Sequence, residues 1–361
     1  MRLFQNSALY SGYLPRLRQL TSGLTTFGDM RDVFLKDRFG APHFLLPILQ
    51  GSPDSFFTNG DDLLLQRAWA RENGLKTTTS AVDILLAQIE HHRAEVFYNL
   101  APVTYDSAFV RRLPGCVKAT VAWRAAPSPG ADFGAYDLVV CNFPSILETY
   151  AGQGWRTAPF FPGHDPVMDE YAASTDRPVD VVFVGSFTRH HRRRAQLLET
   201  LAGIAANHSV VMHLDTSGLT DKAESWLGRL VLPSRYRRPE AIRKVAAKPV
   251  YGRELYRALS SARIVVNGAI DMAGNDRGNM RCFEALGCGA LLVSDSGTYP
   301  DGMVAGKTIL TYDSPLDAVR VIEEALASPA RSTRVADRGH GMVTDIYSKS
   351  RQWHLFQQLP M

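Results

Sequence analysis

One strand–loop–helix–strand segment in the C-terminal half constrains the fold more than any other part of the chain. The apolar run Ala262 to Gly268 predicts a strand, and a polar, glycine-containing loop follows it. A short helix is predicted from about Asn279 to Leu286, ended by Gly287 and Gly289, because glycine adopts the left-handed conformation that an exit turn needs. Small and apolar residues from Ala290 to Ser294 predict a strand buried on both faces, as in a parallel sheet. Ligands of such βαβ units bind at the carboxyl ends of the strands.

The loop of this unit suits a phosphorylated ligand. The backbone N–H groups of Gly278 to Arg281 lie at the predicted helix start, where they and the helix dipole favour an anion. Asp276 and Glu284 have seven residues between them, and a carboxylate can accept hydrogen bonds from both hydroxyls of a ribose. The alternative is that Asp276 or Asn279 caps the helix and that Glu284 is a solvated surface residue.

Composition indicates a globular protein of two domains, because 361 residues exceed what one core usually holds. No apolar run approaches the roughly 20 residues that span a bilayer, and the polar N-terminus does not resemble a signal peptide. The four cysteines are scattered and lack partner histidines, so neither a zinc site nor a disulfide framework is predicted. A reducing cytoplasm is therefore the expected location, with the inner face of a membrane as the alternative.

The net charge of +4, from 40 basic and 36 acidic residues, is too small to argue for nucleic acid. The basic residues form two clusters, Arg189 to Arg194 and Arg235 to Arg238. These clusters suit phosphates, acidic sugars or peripheral association with an anionic membrane. They lack the interleaved aromatic residues of a platform that stacks bases, so no nucleic-acid partner is expected.

Strand and helix signals alternate on both sides of a Pro/Gly-rich linker, Pro162 to Pro166. Strands are predicted before it at residues 1–7, 95–100, 117–123, 136–141 and 157–161, and after it at 179–184, 209–214 and 308–311. Helices are predicted at residues 14–20, 62–73, 80–93, 145–150, 192–205, 253–261, 315–326 and 335–359, while little is assigned to residues 31–62. The alternation predicts an α/β fold of two Rossmann-like, doubly wound domains facing across a cleft. The predicted bounds are 1–165 and 166–340, with residues 341–361 as a C-terminal helix that packs back on the first domain.

Three residue runs carry a resemblance to a known family. They are Val179 to Ser186, Tyr251 to Arg263, and Gly278 to Gly289. Over roughly residues 176–355 the chain resembles the C-terminal domain of GT-B glycosyltransferases. It is most similar to the CgeB-like (spore maturation protein) branch of the glycosyl transferase group 1 superfamily. The N-terminal half resembles the family only in its general α/β pattern and in the linker.

The resemblance implies a transferase that moves a sugar from a nucleotide-diphosphate sugar, expected to be a UDP- or GDP-sugar, to a hydroxyl of a glycan, lipid-linked or other acceptor. It implies that the anomeric configuration of the sugar is retained. It also implies that arginines, rather than a metal ion, neutralise the diphosphate. The residues implied to act in catalysis are Arg281, Asp276 and His164. Those implied to bind the donor are Glu284 at the ribose, with Gly185, Ser186, Arg189, Arg192, Gly278, Asn279, Met280 and Tyr251. Asp276 is shorter than the glutamate usual in the family.

Two other functions remain open on the sequence. A nucleotide-sugar epimerase or a phosphorylase shares this architecture, and turnover of a sugar nucleotide to an isomer without an acceptor would favour this alternative. A catalytically silent binding protein is permitted by the shortened acid at Asp276. One fold hosts many chemistries, so the choice depends on the site and not on the fold.

Overall fold

A computed structural model describes residues 1–187, 191–268 and 272–361. The chain divides into two compact units. The first comprises residues 1–163, 272–274 and 349–361, and the second comprises residues 164–271 and 275–348. The predicted boundary at residue 165 lies two residues beyond Gly163, where the first segment of the first unit ends.

In the described residues, the first unit contains a parallel six-stranded sheet in the order β2-β1-β3-β4-β5-β6. Its strands are β1 (Leu3–Ser7), β2 (Ser55–Asn59), β3 (Val96–Asn99), β4 (Ala119–Trp123), β5 (Leu138–Cys141) and β6 (Thr157–Pro159). Connections leave β1 and β3 toward opposite edges of the sheet. The topological switch point, where ligands of doubly wound sheets bind, therefore lies between these two strands.

The second unit also contains a parallel six-stranded sheet in its described residues, in the order β9-β8-β7-β10-β11-β12. Its strands are β7 (Val179–Ser186), β8 (Val210–Asp215), β9 (Ala246–Ala247), β10 (Ala262–Asn267), β11 (Leu291–Asp295) and β12 (Leu310–Tyr312). Numbered within the unit, this is the 3-2-1-4-5-6 order of dinucleotide-binding domains. Its switch point lies between β7 and β10.

Helices cover both sheets. In chain order they are α1 (Leu14–Leu20), α2 (Phe27–Asp37), α3 (Leu46–Leu49), α4 (Leu63–Glu72), α5 (Ala81–His92), α6 (Ser107–Val110), α7 (Pro144–Ala151), α8 (Met168–Ala172), α9 (Arg192–Gly203), α10 (Gly218–Glu224), α11 (Gly228–Val231), α12 (Glu240–Val245), α13 (Arg253–Ser260), α14 (Met280–Gly287), α15 (Pro315–Ala327), α16 (Pro329–Ile346) and α17 (Lys349–Gln357). Several begin at a capping side chain: Asp62, Ser80 and Ser314 each accept a hydrogen bond from a backbone N–H of the first turn. Such a cap stabilises a helix by about 1 kcal/mol.

The core of the second unit explains why its strands were predictable. Val181 of β7, Val266 of β10 and Val293 of β11 are fully buried under Leu198 of α9 and Ile322 of α15. Each buried aliphatic side chain contributes roughly 1.5–3 kcal/mol. Because helices cover both faces of the sheet, its strands are continuous apolar runs rather than alternating ones.

The last helix, α17, belongs to the first unit and is fixed there by Lys349. The buried ammonium shares its three N–H groups among four acceptors: the carbonyls of Ala41 (2.9 Å), Pro42 (2.9 Å) and Phe44 (2.7 Å), and Oε1 of Gln352 (2.9 Å). The amide of Gln352 donates in turn to the Pro42 carbonyl at 3.0 Å. One lysine thus joins the C-terminal helix to a loop about three hundred positions earlier in the chain.

Most predicted elements are present, with specific differences. β7 does not stop before Gly185 and Ser186 but continues through them, paired with Leu214 and Asp215 of β8. The predicted helix 335–359 is two helices, α16 and α17, separated at residues 347–348. α2, α3 and β2 lie in the stretch where little was assigned, and α10 to α12 were not predicted. No helix in the described residues is both long and apolar enough to cross a membrane.

Candidate functional site

The carboxyl end of β10, at the switch point of the second sheet, is organised by Asn267. This buried residue ends the strand, and its Nδ2 donates to Oγ of Ser294 on β11 at 3.0 Å. Its Oδ1 accepts from Nδ2 of Asn279 at 3.2 Å, and its carbonyl accepts from the hydroxyl of Tyr312 at 2.8 Å. Asn267 therefore ties the ends of β10, β11 and β12 to the start of α14.

The entry to α14 depends on a glycine. Gly278 has φ +94°, in the region that only glycine adopts readily. A Cβ there would also lie 2.5 Å from Cδ of Pro300. Asn279 is the N-cap residue with extended backbone, but its side chain bonds to Asn267 and to Sγ of Cys282 rather than to a backbone N–H of the first turn. The helix begins at Met280, so the residues predicted to face an anion, Gly278 to Arg281, comprise the turn before the helix and its first two residues.

Glu284 is 2% exposed, which excludes the alternative that it is a solvated surface residue. Its Oε2 accepts from Nη1 of Arg281, one helical turn earlier, at 2.5 Å. Burial raises the pKa of the Glu284 carboxyl, while Arg281 acts in the opposite direction and favours the charged form. Two residues assigned to the site from the sequence are thus in direct contact. The sequence spacing did not predict this ion pair.

Asp276 precedes the Gly278 turn and Glu284 follows it. The backbone of Asp276 pairs with Thr298, and its carbonyl accepts from Nη1 of Arg277 at 3.0 Å. Arg277 forms an ion pair with Asp295 at the end of β11. The half-buried Asp276 is therefore held on the loop by its backbone and by its neighbour.

A cavity of about 320 Å³ opens at the carboxyl ends of β10, β11 and β12. Arg193, Arg194 and Arg277 line it, together with Asp295. Nη2 of Arg194 donates to the carbonyl of Gly268, directly after β10, at 2.5 Å. Asp313 also lines the cavity, so three arginines and two carboxylates surround it, and the excess of positive charge suits an anion.

Among the arginines that follow β7, the sequence offered Arg189 and Arg192 as candidates, whereas the structure places Arg194 at this edge. Arg192 is exposed at the first position of α9 and does not line the cavity, whereas Arg194 does. Arg189 lies outside the described residues. The missed signal was helix phase: Arg194 precedes the buried Leu197 and Leu198 by three and four positions, so it shares their inward face.

His164 is buried at the opposite end of α14 from Asn279. A Cβ on Gly287, the last residue of the helix, would lie 3.0 Å from Nδ1 of His164. Nε2 of His164 lies 2.9 Å from Oδ1 of Asp169, and its backbone N–H donates to the Tyr347 carbonyl at 2.7 Å. Burial lowers the pKa of His164 despite the opposing effect of Asp169. Its position does not bring it to the Gly278 turn.

Three other residues predicted to bind the donor have defined positions. Gly185 and Ser186 are the last residues of β7, beside the switch point. Tyr251 is half-buried before α13, and its carbonyl accepts from the backbone N–H of Glu254 at 3.2 Å.

The first unit has its own polar group at its switch point, which the sequence did not reveal. Asn6 of β1 lies opposite Asn99 of β3, and its Nδ2 donates to Oδ1 of Asn99 at 2.9 Å. Oδ1 of Asn6 accepts from the N–H of Gly60 at 2.9 Å, and Nδ2 of Asn99 donates to the hydroxyl of Tyr136 at 2.6 Å. These amides shape the carboxyl edge of the first sheet.

A protein-family model described as glycosyl transferase-like matches residues 189–357, which is 169 of the 361 residues. The match contains the Gly278 turn, the Arg281–Glu284 pair and the arginine-lined cavity. No curated protein sequence matches the chain significantly.

Solved structures match the chain almost end to end. A sucrose-phosphate synthase of Thermosynechococcus elongatus has 12% identity, covers 99% of this chain and 98% of its own, and gives a TM-score of 0.58. HepE of Anabaena, in complex with UDP and glucose, has 10% identity, coverages of 99% and 98%, and a TM-score of 0.59. A glycosyltransferase of Rickettsia africae has 8% identity, coverages of 99% and 97%, and a TM-score of 0.57. The likeness establishes the fold: two Rossmann-like α/β domains of the GT-B type, as the sequence predicted.

Proposed function

We propose that the chain is a glycosyltransferase that moves a sugar from a nucleotide-diphosphate sugar to a hydroxyl group of an acceptor. The observation that carries the proposal is the switch point of the second sheet. There an asparagine-organised loop, a buried glutamate–arginine pair and an arginine-lined cavity occur together, inside the segment that the glycosyl transferase-like model matches. The UDP and glucose bound by HepE, which has the same fold, support this choice of donor class.

Glu284 is proposed to accept hydrogen bonds from the two ribose hydroxyls of the donor. Its contact with Arg281 favours the charged form of the carboxylate, and that form accepts both hydrogen bonds. Arg281 has further N–H groups besides the one it gives to Glu284. We propose that it extends from the ribose to the diphosphate, so that the pair binds two parts of one ligand.

The diphosphate leaving group is proposed to be stabilised by arginines and by the backbone of residues 278–280, without a metal. Arg194 is the first candidate because it lines the cavity and contacts the end of β10; Arg192 and Arg189 remain proposed contacts from the adjoining turn. Fixed positive groups aimed at the charge that develops on the leaving oxygens lower the barrier to bond cleavage.

The remaining residues are proposed to act around the reacting sugar. Asp276 would contact a sugar hydroxyl from the loop before the Gly278 turn, and retention of configuration is part of this proposal. Gly185, Ser186 and Tyr251 would border the nucleotide. His164 is proposed as a positioning residue that supports the far end of α14, given its contact with Asp169. The acceptor, a glycan or lipid-linked hydroxyl, would be bound by the first unit.

Thermal shift measurements with UDP, GDP, CDP, ADP and dTDP test the donor site. A rise in melting temperature is expected for one nucleotide, equal with and without EDTA. It should be reduced in Arg194→Gln and unchanged in Arg331→Gln, an exposed arginine of the same unit.

Release of that nucleotide from its sugar conjugate, dependent on an added acceptor, then tests transfer itself. Isomerisation of the sugar nucleotide without an acceptor would contradict a transferase and indicate an epimerase. Absence of a shift with every nucleotide would contradict the proposed donor site.

A further inference from the structure

A group of large apolar side chains is exposed on the second unit around α11. Trp226, Leu227, Leu230 and Val231, here called the apolar turn, are 55–78% exposed. Isolated exposed apolar residues are ordinary, but four neighbours within six positions form a contiguous patch, which marks an interaction surface.

Hydrogen bonds and close backbone packing fix the conformation of the apolar turn. Nη2 of Arg237 donates to the carbonyls of Arg229 (2.6 Å) and Leu232 (2.8 Å). Oγ of Ser225 accepts from the N–H of Gly228 at 3.1 Å, and a Cβ on that glycine would collide with the carbonyl of Lys222. Because these polar groups of the backbone are satisfied within the chain, the turn can enter an apolar medium at little cost in lost hydrogen bonds.

The charged side chains of the turn itself are all basic. Residues 225–237 contain three arginines and no aspartate or glutamate. Arg229 and Arg235 are both exposed, and in the described part of the chain neither forms an ion pair. The guanidinium of Arg235 lies 5.0 Å from the ring centre of Tyr236. Apolar side chains at the tip with cations beside them match the layering of a bilayer, where acyl chains lie beneath anionic headgroups.

We propose that the apolar turn docks on the surface of a membrane that contains anionic lipids. Tryptophan and arginine favour the boundary between headgroups and acyl chains. A stable protein interface buries about 800 Å² on each partner and uses 20–30 residues, far more than this turn offers. A bilayer needs only shallow insertion of a few side chains and supplies the opposite charge. This inference goes beyond the proposed transfer reaction and does not depend on it.

Vesicle binding without any nucleotide tests the proposal. The protein should bind phosphatidylcholine vesicles that contain phosphatidylglycerol, with tryptophan emission shifted to shorter wavelength and quenched by brominated lipid. The affinity of the double variant Trp226→Ser/Leu230→Ser for these vesicles should be lower by about tenfold or more, because two apolar side chains are removed from the interface. Leu316→Ser is the matched control, since Leu316 is 77% exposed elsewhere on the same unit, and it should bind like the wild type.

A second variant tests the charge. Arg229→Gln/Arg235→Gln should lose affinity for the anionic vesicles, and added salt should weaken binding of the wild type. Absence of wild-type binding, or equal binding by the wild type and both double variants, would overturn the proposal. So would a concentration-dependent dimer that Trp226→Ser/Leu230→Ser abolishes, because the turn would then bind a second copy of the chain.

Discussion

Replacement of Lys349 by methionine tests how the C-terminal helix is held in the first unit. Methionine has a similar length but no donor, so the carbonyls of Ala41, Pro42 and Phe44 and Oε1 of Gln352 all lose a partner. A hydrogen bond from a charged donor contributes about 1.5–3 kcal/mol. Removing the buried ammonium returns part of its desolvation energy. The net loss in free energy of unfolding is therefore expected to be about 3 kcal/mol.

For a unit of this size, that loss corresponds to a fall in melting temperature of about 6–12 °C. Scanning calorimetry of wild type and Lys349→Met measures it. Lys307→Met is the control, because Lys307 is exposed on the second unit and should change the melting temperature little. A shift for Lys349→Met no larger than that of Lys307→Met would refute the assignment of α17 stability to this lysine.

Three further substitutions address separate features. Burial, and secondarily Lys349, lowers the pKa of His43 to about 3. Between about pH 6.5 and this value only the unfolded chain takes up the proton. The free energy of unfolding should therefore fall as the pH drops below about 6.5, by up to about 1.4 kcal/mol for each pH unit. Urea unfolding at pH 7 and pH 5 should show a smaller difference for His43→Phe, and an unchanged difference would contradict the pKa shift. Gly278→Ala should have a lower melting temperature than Gly306→Ala and should lose nucleotide binding. Both glycines have positive φ, but only the Cβ added at Gly278 would collide with another residue, Pro300. Equal melting temperatures would contradict the steric argument. Arg177→Met removes donors to four backbone carbonyls at the amino ends of β10 and β11, so the second unit should melt several degrees lower while nucleotide affinity at the carboxyl ends stays within twofold or so; a selective loss of affinity would contradict this division.

The strands that are buried on both faces were predictable, because their sequences are continuous apolar runs. β7, β10 and β11 are such runs, and their bounds agree with prediction within one residue, except that β7 ends two residues later than predicted. β2 was not predicted, because this edge strand, Ser55–Asn59, mixes polar and aromatic residues. α10 and α11 escaped because they are short and expose their apolar side chains, which gives no periodic pattern.

The loop and helix of the candidate site were predictable, but their contacts were not. The spacing of Asp276 and Glu284 identified the loop, but the pairing of Glu284 with Arg281 and its burial depend on tertiary packing. Gly287 and Gly289 were both expected to end α14 by a left-handed turn; Gly289, with φ +67°, makes the turn as predicted, whereas Gly287 is the last helical residue. Gly287 is small because Met168 and His164 pack against it. Such close approaches between distant segments leave no local signal.

Calorimetric titration of the nucleoside diphosphate that gives the largest thermal shift tests the central claim most directly. It should be performed in EDTA on the wild type, Glu284→Gln and Glu199→Gln, the last an exposed glutamate of α9. The account predicts one site in the wild type, unchanged affinity in Glu199→Gln, and affinity at least tenfold lower in Glu284→Gln, since a charged acceptor of ribose hydroxyls contributes about 1.5–3 kcal/mol. Equal affinity in the wild type and Glu284→Gln, or no binding of any nucleoside diphosphate, would contradict it.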